Sequence, residues 1–325
     1  DIGSDLAYGG DVHTAHLRDV VREVFDHPTA TVHPVASGTA ANSLSLATLC
    51  PPWGSIICHE TAHILVNECN ATSMFSGGGA IRGVGGAHAR IDDDALRAAL
   101  DSVNWGDPHH SQPAVLSLTC PSDLGTIYTP DQMARLGAIA LSRGLRMHVD
   151  GARFANAVVA NRCAPADLAW RAGVDLLSLG SIKNGGLSSD AIVCFDPALD
   201  DELTYRLKRA GHVASKMRYQ SAQLVAHLSD GLWLDLASRA NEALRVLVDG
   251  IRSIGLDLVE EPAVNMLFVR VDDVLADLLE AEGLLFYRLH GGVIRLVTSH
   301  RSTPDEMADA VTRIERAVAA SRTAV

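Results

Sequence analysis

Lysine, basic patches, paired cysteines and long apolar runs are all scarce or missing in this chain, and each shortage excludes something. No apolar stretch approaches the roughly 20 residues that a membrane-spanning helix needs, and no signal-peptide pattern opens the chain. A membrane is therefore not an expected partner. The net charge is −12. Without basic patches, that balance argues against nucleic acid as a partner while leaving room for one small anion held locally. The six cysteines, Cys50, Cys58, Cys69, Cys120, Cys163 and Cys194, form no C-x-x-C pair and lie mostly in or beside apolar segments. Reduced, largely buried thiols in a cytoplasmic protein are expected rather than disulfides. No ligand spacing suits a zinc site, so no metal is expected. No G-x-G-x-x-G follows an early strand, which argues against a nicotinamide-binding dehydrogenase. Repeats and low-complexity tracts are absent as well. The whole chain holds only Lys183, Lys208 and Lys216 as lysines.

What is present is 325 residues, 47% of them hydrophobic, enough for one large domain or two unequal ones. Residues 30–200 alternate strand and helix patterns, the mark of an α/β fold with a largely parallel sheet. Short apolar runs at 55–58, 114–118, 145–149, 176–179 and 192–195 read as strands. Residues 40–49 read as a helix stopped by Pro51-Pro52. Thr129-Pro130-Asp131-Gln132 is a capping box with proline in the first turn, and Gly144 ends the helix it starts. Residues 215–250 look helical with few breakers. Strands at 266–271 and 292–297 and a helix from Thr303 then form a second α/β segment. The boundary is placed near 240, giving a large domain over 1–240 and a small one over 241–325. The glycines at 77–79 and 83–86 suggest tight turns or backbone close to a ligand.

The chemistry concentrates around two motifs. His148-Val149-Asp150-Gly151-Ala152-Arg153 ends an apolar strand, so Asp150 sits at the C-terminal strand end, where open α/β sheets bind ligands. Lys183 follows the next strand in Leu179-Gly180-Ser181-Ile182-Lys183-Asn184-Gly185-Gly186. An aspartate able to face a pyridine nitrogen, with a lysine able to form a Schiff base, is what pyridoxal 5'-phosphate (PLP) requires. Burial and nearby positive charge would free the Lys183 amine of its proton. Ser37-Gly38-Thr39 opens a helix after a strand, a place for a phosphate. His63 is a candidate for stacking on the ring and for proton transfer at a substrate hydroxyl. Arg153 and Arg295 are candidate clamps for a carboxylate; Arg295 lies inside an apolar strand, where a buried ion pair is the other explanation.

Together these residues resemble the L-threonine aldolase family, PLP enzymes of fold type I (aspartate aminotransferase-like): α/β, a large domain with a mostly parallel sheet and a smaller C-terminal α/β domain. The match runs along nearly the whole chain. It rests on His148 to Arg153, the Gly38-Thr39-Ala40-Ala41-Asn42 theme, Ala62-His63, the Asn265 to Val271 strand and Arg295-Leu296-Val297-Thr298. The resemblance implies Lys183 as the Schiff-base lysine, Asp150 on the ring nitrogen, His63 over the ring, and Ser37, Gly38 and Thr39 on the phosphate. It also implies Arg153 near cofactor and substrate, Arg295 on the substrate carboxylate, and Arg218 approaching the phosphate from a neighbouring subunit. The implied assembly is a homotetramer, a dimer of dimers. The implied reaction is retro-aldol cleavage of a small β-hydroxy amino acid to glycine and an aldehyde, with His63 the candidate base. An aminotransferase or β-eliminating lyase of the same fold is the alternative, and a non-catalytic scaffold a more distant one.

The chain departs from that pattern in three places. Many members carry a second histidine after the strand at 114–118, where this chain has Thr119-Cys120-Pro121-Ser122-Asp123. The context Ile182-Lys183-Asn184-Gly185 is closer to the low-specificity and phenylserine-cleaving branch. Ser4-Asp5 mimics a substrate-contacting segment of the family but lies too close to Tyr8-Gly9-Gly10-Asp11. With Asp1 opening the chain, the true segment is expected to be absent.

Overall fold

The computed structural model describes residues 4–323. Its large sheet has seven strands: β1 (Thr31–Val35), β2 (Gly54–His59), β3 (Ala80–Val84), β4 (Gln112–Thr119), β5 (Arg146–Gly151), β6 (Leu176–Leu179) and β7 (Asp190–Cys194), in spatial order β1-β7-β6-β5-β4-β2-β3. Strands β3, β2, β4, β5 and β6 are parallel neighbours, whereas β7 runs against both β6 and β1. The expected mostly parallel sheet is thus present with one reversed strand. A second sheet, ordered β8-β10-β9, contains β8 (Met266–Arg270), β9 (Tyr287–Leu289) and β10 (Val293–Val297).

The helices are α1 (Val12–Val24), α2 (Gly38–Leu49), α3 (His63–Val66), α4 (Ala71–Ser76), α5 (Asp93–Asp101), α6 (Pro130–Ser142), α7 (Phe154–Asn161), α8 (Asp200–Arg209), α9 (Arg218–Leu228), α10 (Leu232–Ile254), α11 (Asp273–Ala281) and α12 (Pro304–Thr323). Their starts follow local chemistry. Asp11, Ser37, Asp92, Thr129 and Asp272 each accept a hydrogen bond from an amide of the first turn, a cap typically worth about 1 kcal/mol. The Thr129–Gln132 box forms reciprocally, at 3.2 and 2.9 Å.

Central strands β2, β5, β6 and β7 are buried along almost their whole length, as expected for a sheet covered on both faces. One face packs against α1, α6 and α7 through Leu17, Phe25, Leu136 and Phe154. The other packs against α2 and α8 through Leu44, Leu203 and Leu207. A separate core joins the small sheet to α10, α11 and α12. Helix α10 runs through residue 240 without a break. Asn241 on it bonds Asn156 of α7, with Asn156 Nδ2 donating to Asn241 Oδ1 at 2.9 Å.

One expectation needs correction, and of the two readings offered for the glycines the turn holds at 77–79. The helical pattern over 215–250 is interrupted, because Asp230 and Gly231 adopt left-handed backbone (φ 55° and 73°) between α9 and α10. Apolar periodicity runs on through a turn of this kind and gives no sign of it. The glycines at 77–79 form a turn against Pro52, and Gly83 packs on Glu60; neither group lines the cavities described next.

Candidate active site

The C-terminal ends of the parallel strands converge on two adjoining cavities of about 230 and 290 Å³. His63, Asp150, Ala152 and Lys183 line both. The first cavity adds Thr119, Asp123, Arg153, Met266 and Arg295; the second adds Ser37, Gly38, Thr39, Asn42, Glu68 and Asp190. Residues far apart in sequence meet here because the C-terminal ends of the parallel strands, the segments that follow them and the start of the reversed β7 share one edge of the large sheet, with Met266 and Arg295 coming from the small sheet beside it.

Asp150 is held from two directions. Its Oδ1 accepts from the Ala152 amide at 3.1 Å, and its Oδ2 accepts from Asn42 Nδ2 at 2.9 Å. Two residues earlier on the same face of β5, His148 is fully buried between Ser117 of β4 (2.9 Å from Nδ1) and Ser178 of β6 (3.0 Å from Nε2). Burial pushes its pKa down to about 4, so it ties three strands together as a neutral ring. This is why an otherwise apolar strand tolerates a histidine there.

Lys183 lies in the single 3₁₀ turn Ile182–Asn184 between β6 and β7. The turn is braced by Asp190, whose Oδ1 accepts from the Ser181 and Ile182 amides at 2.7 and 3.0 Å, and by Asn184 Nδ2, which donates to the Trp233 carbonyl at 2.7 Å. Gly180 is needed where this segment crosses Ala152, since a Cβ would collide with that residue's carbonyl. The lysine lines both cavities and is exposed to solvent there. Protein packed around it, then the Arg153 guanidinium, lower its amine's pKa from the ordinary lysine value.

His63 stands at the start of α3, its Nδ1 bonded to Glu68 Oε1 at 2.9 Å. Glu68 is buried and also accepts from Asn42 Nδ2 at 2.9 Å. The Asn42 amide therefore bridges two carboxylates, Glu68 and Asp150, keeping them from facing each other bare. The Glu68 hydrogen bond raises the His63 pKa against the opposing effect of burial.

Arg153 and Arg295 approach the first cavity from opposite elements, and neither makes an ion pair among the described residues. Both leave a buried Nε without a partner. Arg295 rests its guanidinium over the Tyr287 ring, 4.5 Å from the centroid. Burial and then the charge of Arg295 bring Arg153 down to about 10. The buried ion pair that could have explained Arg295 is not formed.

The structure thus brings Ser37, Gly38, Thr39, His63, Asp150, Arg153, Lys183 and Arg295 together as the sequence suggests. It does not bring Arg218, which starts α9 with its guanidinium over Tyr219 and lines neither cavity of its own chain. Ser4-Asp5 lies outside as well; Asp5 accepts from the Leu6 amide at 2.8 Å and the Val12 amide at 3.3 Å, by the start of α1. Sequence reasoning missed Glu68, Asp123 and Asp190 as site residues and quoted Asn42 without giving it a role. Asn42 and Asp123 stand within quoted motifs, so a signal existed. Glu68 sits in a short irregular stretch that carries none.

Comparison with known proteins gives consistent results. A family model described as beta-eliminating lyase matches residues 2–274. A low specificity L-threonine aldolase of Pseudomonas aeruginosa is 37% identical over 290 residues, covering 89% of this chain and 83% of the relative. A solved threonine aldolase of Leishmania major superposes with a TM-score of 0.90 at 24% identity, covering 98% of this chain and 93% of the other. A serine palmitoyltransferase solved with PLP gives 0.71 at 16% identity, over 97% and 78% of the two chains. The fold is the PLP-dependent fold type I that the sequence suggests.

Proposed function

The chain belongs to the beta-eliminating lyase family, and from that premise we propose that it is a PLP-dependent lyase that cleaves L-β-hydroxy-α-amino acids to glycine and an aldehyde. The observation that carries the reading is one cavity holding Lys183, Asp150 and two guanidiniums that make no ion pair among the described residues and each leave a buried Nε without a partner. Two cations left unpaired at such cost are explained by a carboxylate that arrives with the substrate.

The residues fit pyridoxal phosphate. Helix α2 opens onto the second cavity with Gly38 and Thr39 in its first turn, whose amides have no carbonyl one turn earlier to bond. An anion suits that position. Lys183 would hold the aldehyde carbon, Asp150 the ring nitrogen, and Ser37, Gly38 and Thr39 the phosphate; Arg218 would reach the phosphate of a neighbouring subunit. When bound, the cofactor supplies an acceptor for the electron pair released at Cα.

The chain's own residues set which bond breaks. Arg153 and Arg295 would grip the substrate carboxylate in the first cavity and so fix which bond at Cα is poised to break. Asp150, held in place by Asn42 and the Ala152 amide, would face the ring nitrogen and favour its protonated form. His63, which lines both cavities, would stack on the ring. Lys183, with its lowered proton affinity, would give way to the substrate amine and is placed to carry the Cα proton. We further propose a homotetrameric, cytoplasmic enzyme. Among the described residues no helix is long and apolar enough to cross a membrane.

Purified protein supplied with PLP and a panel of threonine, allo-threonine and phenylserine tests the proposal. Glycine and the matching aldehyde are expected in equal amounts. Ammonia with a 2-oxo acid would instead identify the β-eliminating reading that the family's description favours, and transfer of the amino group would identify an aminotransferase.

A further inference from the structure

We infer that Asp123 is the base that takes the proton from the substrate's β-hydroxyl, an inference that rests on the aldol reading above. Asp123 lines the first cavity, with Arg153 and Arg295, and not the second, with Ser37, Gly38 and Thr39. It therefore sits on the side where the substrate's carboxylate would be held. Its carboxylate makes no ion pair and no side-chain hydrogen bond among the described residues; the His63 amide is the backbone group that bears on it.

The other titratable groups of the cavity are committed elsewhere. His63 on α3 is bonded to buried Glu68, which favours the imidazolium, a donor and a poor acceptor. Asp150 on β5 has both oxygens engaged. Lys183, in the loop after β6, has the cofactor and the Cα proton to serve. Arg153 and Arg295, from α7's start and β10, are cations. Asp123 remains. Burial, and then the Asp150 charge, push its carboxyl up to about 6, so near neutral pH it is ionised yet basic enough to accept a proton.

In the step, the hydroxyl O–H bond breaks and its proton passes to the Asp123 carboxylate. The electron pair of that bond becomes the second bond of the aldehyde C=O as the Cα–Cβ bond breaks. The Cα–Cβ pair, held for that moment by the bound cofactor, ends in a C–H bond when Cα takes a proton. Asp123 returns its own proton to water through the cavity mouth, and nothing is oxidised or reduced. The role that the sequence suggests for His63 at the hydroxyl passes to Asp123, in the stretch after β4 where the family resemblance leads one to expect a second histidine.

The test compares holoenzyme with Asp123→Asn in two reactions: cleavage of phenylserine, and exchange of the glycine α-hydrogen with deuterated water. Exchange needs the cofactor, Lys183, Asp150 and the arginines, but no β-hydroxyl base. Cleavage is expected to fall about a hundredfold more than exchange does, and the acidic limb of its pH profile, near 6 in the parent, to disappear. Parallel loss of both reactions, or a variant cleaving within about threefold of the parent, overturns the assignment. A parent enzyme that exchanges glycine but cleaves nothing overturns the aldol reading itself. In the cofactor-free protein, carbon NMR is expected to show a carboxyl titrating near pH 6 that Asp123→Asn removes; titration of Asp123 at the ordinary carboxylate value also overturns it.

Discussion

Replacing Arg153 with methionine should make the protein more stable and the enzyme worse. The guanidinium is crowded by protein, has a buried Nε with no partner, and faces the like charge of Arg295. Its pKa falls from the ordinary arginine value to about 10, which at 1.36 kcal/mol per unit corresponds to about 3 kcal/mol. Water in the cavity makes that an upper figure. The folded-state value lies below the unfolded one, so folding disfavours the charged form at every pH below about 10, and the penalty is fully present at neutral pH. Methionine keeps most of the aliphatic stem's packing. Urea unfolding of the substrate-free protein at neutral pH should therefore show a gain of about 1–3 kcal/mol for Arg153→Met. Binding moves the other way. Loss of a charge-assisted hydrogen bond of about 1.5–3 kcal/mol should raise KM roughly tenfold to a hundredfold. Added glycine should stabilise the parent and leave the variant unchanged. A variant that is less stable than the parent and still binds glycine equally well would refute the reasoning.

Asp150→Ala should hold PLP weakly and cleave slowly; rates near those of the parent would rule out its place on the ring nitrogen. Glu68→Gln should lower the His63 pKa toward the ordinary histidine value, read by proton NMR of the ring. The sign for stability follows. Because His63 titrates higher in the folded chain than in the unfolded one, its pairing with Glu68 contributes stability that is fully present below the ordinary histidine pKa and fades as pH rises through the raised one. Glu68→Gln should flatten that part of the pH–stability curve, and an unchanged curve would count against the pairing.

Much of the fold was legible because its signals are local. Thr129 and Gln132 announce α6 through side-chain and backbone groups three residues apart, and the apolar runs of β4, β5 and β6 need no partner to be recognised. Asp150 and Lys183 were legible for a different reason: each lies just beyond such a run, where an open sheet presents its ligands. The break at Asp230 and Gly231 was not, since it depends on backbone angles that apolar spacing does not record. Nor was the reversal of β7, because a short buried strand reads the same in either direction. Glu68 was invisible because its role is to hold His63 and share Asn42 with Asp150, and nothing in its own neighbourhood foreshadows either contact.

By itself the sequence carried the α/β alternation, together with the scarce lysine and the aspartate at a strand's end on which the proposed cofactor chemistry rests. Only the tertiary structure decided that Arg153 and Arg295 meet with no ion pair among the described residues, that His63 is committed to a buried carboxylate, and that Asp123 lies in the same cavity with no side-chain hydrogen bond among them. Those facts depend on strand order and on how the small sheet lies against the large one. Both are set by long-range packing, and hydrophobic periodicity along the chain carries no information about which distant segments become neighbours.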